Sequence, residues 1–112
     1  MKIYHNPRCM KSRETLKLIT DKGLEPEIIL YMENPLKATE LKNLLKKLSI
    51  TASELIRTSE KIYKEEYKGK KMTEAQWVKA MITHPKLMQR PIVVSGDRAV
   101  LGRPPENVLE LC

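Results

Sequence analysis

The stretch that decides the fold is residues 2–31, KIYHNPRCMKSRETLKLITDKGLEPEIILY. It opens with a short β-like segment, Lys2–His5, which Asn6-Pro7 interrupts. The pattern then turns helical over Met10 to about Lys22. An apolar run of strand length, Glu27–Tyr31, follows the helix. The stretch therefore predicts a β-α-β unit, which implies two parallel strands.

The middle of the chain is predicted to be helical. Four leucines recur at helical spacing over 41–48. Thr51-Ala-Ser-Glu54 and Thr73-Glu-Ala-Gln76 are capping boxes, each of which marks the start of a helix. A further helix is predicted over about 60–67. The last helix of this region should stop before His84-Pro85, because the residue ahead of a proline disfavours helical geometry.

Strand signals return near the end of the chain. Ile92–Ser95 and Arg98–Leu101 flank Gly96-Asp97, a two-residue hairpin turn. Pro104-Pro105 then opens a final helix from Glu106 to about Leu111.

The order of elements predicts an α/β fold of the thioredoxin-like kind. Its four-stranded mixed sheet combines the β-α-β unit with the hairpin, and helices cover it. We expect a single domain over residues 1–112, with a helical insert of about 33–90 between the βαβ and ββα halves.

Composition excludes several classes of protein. A length of 112 residues corresponds to about one domain. With 41% apolar residues the chain is too hydrophobic to be disordered. It has no apolar run long enough to span a membrane, and its start lacks the apolar segment of a secretion signal. We expect a reduced, cytoplasmic protein that is monomeric and has no membrane partner.

The net charge of +7 admits a nucleic-acid partner. Stacking aromatics are scarce, however, and no helix-turn-helix, zinc-finger or RNP pattern is present. A solvated lysine face explains the charge more simply, so we predict no nucleic-acid binding. The excess of cations also favours small anions.

Cys9 is the residue with the most distinctive position, just past the first strand and at the start of the first helix. Free backbone N–H groups and the helix dipole both favour a thiolate there. His5, among other basic neighbours, adds positive charge. Ser12 makes the motif Cys-x-x-Ser, so its hydroxyl can hydrogen-bond the thiolate but cannot form a disulfide with it. The alternative is that Cys9 is a small buried hydrophobe.

A thiolate at an anion-attracting helix end suggests an oxyanion substrate. Fixed cations must then offset the repulsion, and the planar fork of arginine matches tetrahedral oxyanions. Arg57, Arg90 and Arg103 are candidates, although each could instead be an ordinary surface cation. In the thioredoxin layout the loop before the third strand faces the cysteine, and Pro91 there is a candidate cis proline.

The motifs His-Asn-Pro-x-Cys-x-x-Ser-Arg, within Tyr4–Leu16, and Arg-Pro-Ile-Val-Val, at Arg90–Val94, resemble those of the glutaredoxin-coupled arsenate reductase family. Glu25–Pro35 and Gly102–Leu109 fit the same family, and the short form is similar to its arsenate-reductase-like branch. The resemblance implies reduction of arsenate, or a similar oxyanion, to arsenite. It also implies glutathione as co-substrate, glutaredoxin as partner and no bound cofactor. The implied residues are the nucleophile Cys9, the oxyanion-binding Arg57, Arg90 and Arg103, and the cysteine-tuning His5 and Ser12.

Two alternatives remain open at this point. The chain could be a redox-active thiol protein of the same family that does not act on arsenate. It could also be an interaction module like the polymerase-binding regulators of a related branch, although these typically carry Cys-x-x-Cys where this chain has Ser12.

The remaining candidate ligands have plainer explanations. Cys112 could resolve an adduct on Cys9, but a frayed terminus without a role is the simpler reading. The two cysteines and two histidines lack zinc-ligand spacing, so we predict no metal site. His84 is placed to cap a helix end.

Overall fold

The predicted β-α-β unit is present in the computed structural model, which describes residues 1–112. It consists of β1 (Lys2–Tyr4), α1 (Met10–Asp21) and β2 (Glu27–Ile29). The strands pair in parallel, as predicted, with Ile3 opposite Ile28. β2 is two residues shorter than predicted, because the chain leaves the sheet after Ile29 in a turn.

The second half of the sheet is the predicted hairpin. β3 (Ile92–Ser95) and β4 (Arg98–Leu101) are antiparallel neighbours, and β3 also pairs antiparallel with β1. The strand order is β2-β1-β3-β4. The prediction of a four-stranded mixed sheet is confirmed, and the pairing of Tyr4 with Ile92 puts the end of β1 beside the start of β3.

The chain divides into two compact units, residues 1–34 with 90–112, and residues 35–89. The sheet unit has a core of fully buried apolar residues from β1, α1, β3 and the closing helix: Ile3, Ile19, Val93 and Val108. Apolar burial of this kind stabilises the unit and fixes α1 against the sheet.

The closing helix is present, as predicted, and it begins one residue earlier than expected. It covers Pro105–Leu111 and is a 3₁₀-helix, in which the N–H of Asn107 bonds to the carbonyl of Pro104 at 3.0 Å. Two consecutive prolines lack N–H groups, and the segment is short, so the tighter i→i+3 pattern prevails over a regular α-helix.

The unit of residues 35–89 is helical, as predicted for the insert. It contains α2 (Ala38–Leu48), α3 (Ala52–Leu55), α4 (Glu74–Thr83) and a 3₁₀ turn, Pro85–Leu87. Both predicted capping boxes are confirmed, at the starts of α3 and α4. Trp77 is buried in this unit.

The segment predicted as a helix over about 60–67 contains a π-helical turn, Tyr63–Tyr67. The N–H of Lys68 reaches the carbonyl of Tyr63 at 2.8 Å, five residues back. The rings of Tyr63 and Tyr67 both pack on Trp77, at centroid distances of 6.3 and 5.8 Å. We attribute the wider turn to this packing, which local periodicity does not report.

A concave pocket of about 580 Å³ lies on the same unit. Three lysines line it, together with Tyr67, but no cysteine or histidine does so. None of the helices combines the length and the apolar character that a membrane span requires.

Candidate active site

Cys9 occupies the N-cap position of α1. Its backbone is extended, with φ −94° and ψ 122°, and its carbonyl accepts the first helical hydrogen bond, from the N–H of Arg13 at 3.0 Å. The turn before the helix is closed by the N–H of Cys9, which donates to the carbonyl of Asn6 at 3.0 Å. The side chain is partly exposed, so the sulfur is not an inert core hydrophobe. No side-chain oxygen caps this helix, and the backbone N–H groups of Lys11 and Ser12 act on the sulfur instead.

Opposing influences act on the Cys9 thiol, and their balance lowers its pKa. Burial raises the pKa, because it penalises the charged form. The backbone N–H of Ser12, the positive charge of Arg90, the N–H of Lys11 and a hydrogen bond from the Arg90 side chain all lower it. Since the thiolate is the nucleophilic form, these groups raise the fraction of reactive sulfur at neutral pH.

Arg90 is a largely buried arginine beside this sulfur. Its side chain is only 9% exposed, and the peptide bond to Pro91 is cis, as the sequence suggested. Within the protein, neither Nε nor Nη1 of Arg90 has a hydrogen-bond acceptor. A buried guanidinium that keeps donors free next to a thiolate is suited to bind an oxyanion that the thiolate attacks.

Ser12 is fully buried, and its hydroxyl has partners other than the sulfur. His5 Nδ1 lies 2.7 Å from Ser12 Oγ, which also accepts a hydrogen bond from the N–H of Asn6 at 3.1 Å. From the Cys-x-x-Ser spacing, this hydroxyl could have hydrogen-bonded the thiolate. In the structure it ties α1 to the end of β1, and the backbone N–H of Ser12 is the group that acts on Cys9.

The positive charge expected from His5 is not supported by its surroundings. The side chain is 6% exposed, and burial lowers its pKa, so the neutral imidazole is favoured near pH 7. His5 is absent from the groups that shift the pKa of Cys9. Its contact with Ser12 instead holds the start of α1 in place.

The other two predicted arginines have different settings. Arg103 belongs to the same unit as Cys9 and is exposed, in the turn between β4 and the closing helix. Arg57 belongs to the unit of residues 35–89, where its Nη1 lies 2.9 Å from the Glu60 carboxylate. Arg90 is thus the one arginine among the groups that lower the pKa of Cys9.

Cys112 is a free, exposed thiol whose Sγ contacts the carbonyl of Val108 at 3.5 Å. His84 lies 3.9 Å from the Glu66 carboxylate, not at a cluster of ligands. No group of three or more His, Cys, Asp and Glu side chains is arranged to hold a metal ion.

Two buried residues behind the site were not recognised as part of it from the sequence. The Thr15 hydroxyl donates to the carbonyl of Lys11 at 2.8 Å and lies 3.5 Å from the carbonyl of Gly102. The N–H of Gly102 donates to the carbonyl of Pro91 at 2.9 Å. In the sequence Gly102 simply follows the predicted strand Arg98–Leu101, and the close packing around it becomes visible once α1 and the hairpin are brought together.

Comparisons with known proteins show which sequences this chain is similar to. A profile described as the ArsC family matches residues 4–111. A Haemophilus influenzae protein named arsenate reductase is 44% identical over 111 residues, which cover 97% of this chain and 96% of that protein. An Escherichia coli K12 protein, YfgD, described as uncharacterized, is 51% identical over 113 residues, or 99% of this chain and 95% of its own.

Solved structures agree with these sequence matches. The structure titled arsenate reductase from Vibrio cholerae superposes with a TM-score of 0.95 at 43% identity, covering 99% of this chain and 96% of that one. The thioredoxin-like layout predicted from the order of elements is therefore confirmed at the level of the fold.

Proposed function

Because the chain belongs to the ArsC family, we propose that it is an oxidoreductase that reduces arsenate to arsenite with glutathione and glutaredoxin as the source of electrons. The observation that carries the proposal is the pairing of Cys9, whose pKa is lowered, with the buried Arg90, whose Nε and Nη1 lack acceptors within the protein. Arsenate is a tetrahedral oxyanion, and these two side chains supply a nucleophile and an anion-binding fork in one place.

In the first step the Cys9 thiolate attacks arsenic, an S–As bond forms, and one As–O bond breaks. The oxygen leaves as water after it has been protonated. Arg90 stabilises the negative charge on the remaining oxygens, with interactions that strengthen as charge develops.

In the second step a glutathione thiolate attacks the Cys9 sulfur, an S–S bond forms, and the S–As bond breaks with its electron pair left on arsenic. Two thiols, Cys9 and glutathione, are oxidised together to a mixed disulfide, and As(V) takes up the two electrons and is released as arsenite. Overall, arsenate and two thiols give arsenite, one disulfide and one water. Ser12 cannot resolve that disulfide, so a glutaredoxin thiol must attack it and return Cys9 to the reduced form.

Arg57 and Arg103 enter the proposal by their positions in the family motif. Arg103 is exposed and can move to a bound oxyanion without breaking an ion pair. Arg57 is paired with Glu60, so its binding to substrate requires that this ion pair be exchanged or shared. Because the reaction consumes reduced glutathione, we expect it in a reducing compartment such as the cytoplasm.

The test is a coupled assay with glutaredoxin, glutathione and glutathione reductase, in which NADPH consumption is followed with and without arsenate. We expect arsenate-dependent turnover in the wild type and in Cys112→Ser. For Cys9→Ser we expect a loss of at least roughly a thousandfold, as for other enzymes that lose their nucleophile.

Equal arsenate-dependent rates in the wild type and Cys9→Ser would overturn the proposal. A reactive Cys9 in the absence of any arsenate-dependent rate would also overturn it, and would favour a thiol protein of the same family that acts on another substrate.

A further inference from the structure

The point where β4 ends is packed so closely that no side chain fits there. A methyl group built on Gly102 would lie 2.7 Å from Thr15 Oγ1, 2.8 Å from Pro91 Cγ and 3.1 Å from Thr15 Cγ2. Real Cβ atoms essentially never approach other atoms within 3.0 Å. Both neighbours resist displacement, because Thr15 is a fully buried β-branched side chain and Pro91 is a buried ring.

The two neighbours belong to the two elements that carry the active-site pair. Thr15 lies on α1, whose N-cap is Cys9, and its hydroxyl bonds to the carbonyl of Lys11 in the first turn of that helix. Pro91 directly follows Arg90, and its carbonyl accepts the N–H of Gly102 at 2.9 Å. Gly102 therefore sits where the helix of the nucleophile meets the segment that holds the guanidinium.

We propose that Gly102 is a positioning residue, whose missing side chain lets α1 and Pro91 approach closely enough to hold Arg90 beside Cys9. The inference rests on the proposed function, in which Arg90 and Cys9 act on the substrate together. A methyl group at position 102 would push α1 and Pro91 apart and so separate the guanidinium from the sulfur. The N–H groups of Lys11 and Ser12 belong to α1 itself and would move with Cys9.

The effects of Arg90 and of the α1 N–H groups on Cys9 should therefore respond differently to a substitution at Gly102. Gly102→Ala should remove the contribution of Arg90 to the ionisation of Cys9 and leave the contribution of the helix intact. The readout is the rate at which iodoacetamide alkylates Cys9, measured across pH by mass spectrometry in a Cys112→Ser background. At pH 7 we expect Gly102→Ala to slow alkylation about tenfold, the size of a typical loss of one nearby opposite charge.

The decisive comparison repeats the substitution in an Arg90→Ala background. If Gly102 acts by placing Arg90, Gly102→Ala should have no further effect on alkylation there. The proposal would be overturned if Gly102→Ala slowed alkylation equally in both backgrounds, or if it did not slow alkylation when Arg90 is present.

Gly23→Ala is the matched control, because Gly23 lies in the same unit and has no atom within 4 Å of an added Cβ. Its φ of +79° makes alanine unfavourable, so it tests whether destabilisation alone changes the alkylation rate.

A second pair of variants covers the case in which Gly102→Ala does not fold. Thr15→Ala removes two of the three atoms nearest to the added methyl, Thr15 Oγ1 and Cγ2, and leaves the third, Pro91 Cγ. Adding Gly102→Ala to Thr15→Ala should therefore slow alkylation by a smaller factor, about threefold, again only when Arg90 is present. An unchanged rate in this pair would overturn the proposal. Alkylation requires no arsenate, so loss of the proposed reductase activity and loss of this positioning role are separate results.

Discussion

The starts of α1 and α4 show two uses of the same local structure. At α4 the Thr73 hydroxyl accepts the N–H of Gln76 at 3.2 Å, and the Gln76 side chain accepts the N–H of Thr73 at 2.8 Å. At α1 Cys9 caps the helix without such a bond, and the N–H groups of Lys11 and Ser12 act on its sulfur. The N–H groups at the start of α4 are satisfied by its own side chains, which stabilises the helix. Those at the start of α1 are left to stabilise the Cys9 thiolate.

A further difference between the two ends lies in what surrounds them. The start of α4 is solvent-exposed, and its capping hydrogen bonds come from its own residues; its hydrogen bond to another helix is made by the Glu74 carboxylate, which accepts the N–H of Ala52 at 2.7 Å. The start of α1 depends on residues from distant parts of the chain, which flank the hairpin. Arg90 acts on Cys9, and Gly102 packs against Thr15 of α1. A local motif suffices to begin a helix, but a reactive sulfur requires contacts that only the tertiary fold supplies.

Of the substitutions that distinguish the two helix starts, we expect Arg90→Ala to have the largest effect, which is on Cys9. Without the guanidinium, the pKa of Cys9 should rise, because one of the groups that lower it is lost. Arsenate-dependent kcat should fall by roughly 10²–10³, as on loss of one donor to a developing oxyanion. The coupled assay and the pH profile of alkylation measure both effects. Arg98→Ala, which removes an exposed arginine of the same unit, is the control. A wild-type alkylation profile in Arg90→Ala would contradict our assignment of Arg90.

An effect of intermediate size, on stability and not on chemistry, is expected from Thr73→Ala. Loss of the capping hydroxyl should lower the free energy of unfolding by about 1 kcal/mol. Urea denaturation measures it, and Thr73→Ser, which keeps an acceptor hydroxyl, should retain most of the stability. Alkylation of Cys9 should be unchanged in both variants. A shift in its pH profile would mean that the two helix ends are not independent.

The smallest effect is expected from His5→Gln and concerns acid stability. Burial lowers the pKa of His5 in the folded protein, while the unfolded chain keeps a value near 6.5. The contribution of neutral His5 to the free energy of unfolding is therefore fully present above about pH 6.5. It is lost as the pH falls through the folded-state pKa, because the unfolded state takes up the proton more readily than the folded state. Denaturant unfolding from pH 7.5 to 5 should show a shallower loss in His5→Gln. Parallel curves for the two proteins would contradict the neutral, buried state of His5. The Cys9 thiol titrates in both proteins, so its contribution cancels in the comparison.

Features encoded by neighbouring residues could be predicted from the sequence. The two capping boxes, the hairpin turn at Gly96-Asp97 and the helix that follows Cys9 each depend on a few adjacent side chains, and all are present. The four-stranded mixed sheet followed from combining a β-α-β unit with a hairpin. The family resemblance then matched Cys9 and Arg90, which the structure brings together.

Features that depend on distant contacts could not be predicted in this way. The π-helical turn at Tyr63–Tyr67 accompanies packing on Trp77, and the neutral state of His5 follows from burial. The spacing of Cys9 and Ser12 allows a hydrogen bond from the hydroxyl to the thiolate, yet the partners of the Ser12 hydroxyl are His5 and Asn6. Gly102 follows a predicted strand in the sequence and is a close-packing position in three dimensions.

The donors of Arg90 also make the folding equilibrium sensitive to the solvent. Nitrogens of a buried cation that lack protein acceptors destabilise the native state, because they have given up hydration without full compensation. Any small anion that binds them in the native state alone adds stability by mass action, about 2.7 kcal/mol at a hundred times its dissociation constant. We therefore expect the melting temperature to depend on the buffer anions as well as on the chain, and we expect phosphate, which shares arsenate's shape and charge, to act both as a stabiliser and as a competitor of the proposed substrate.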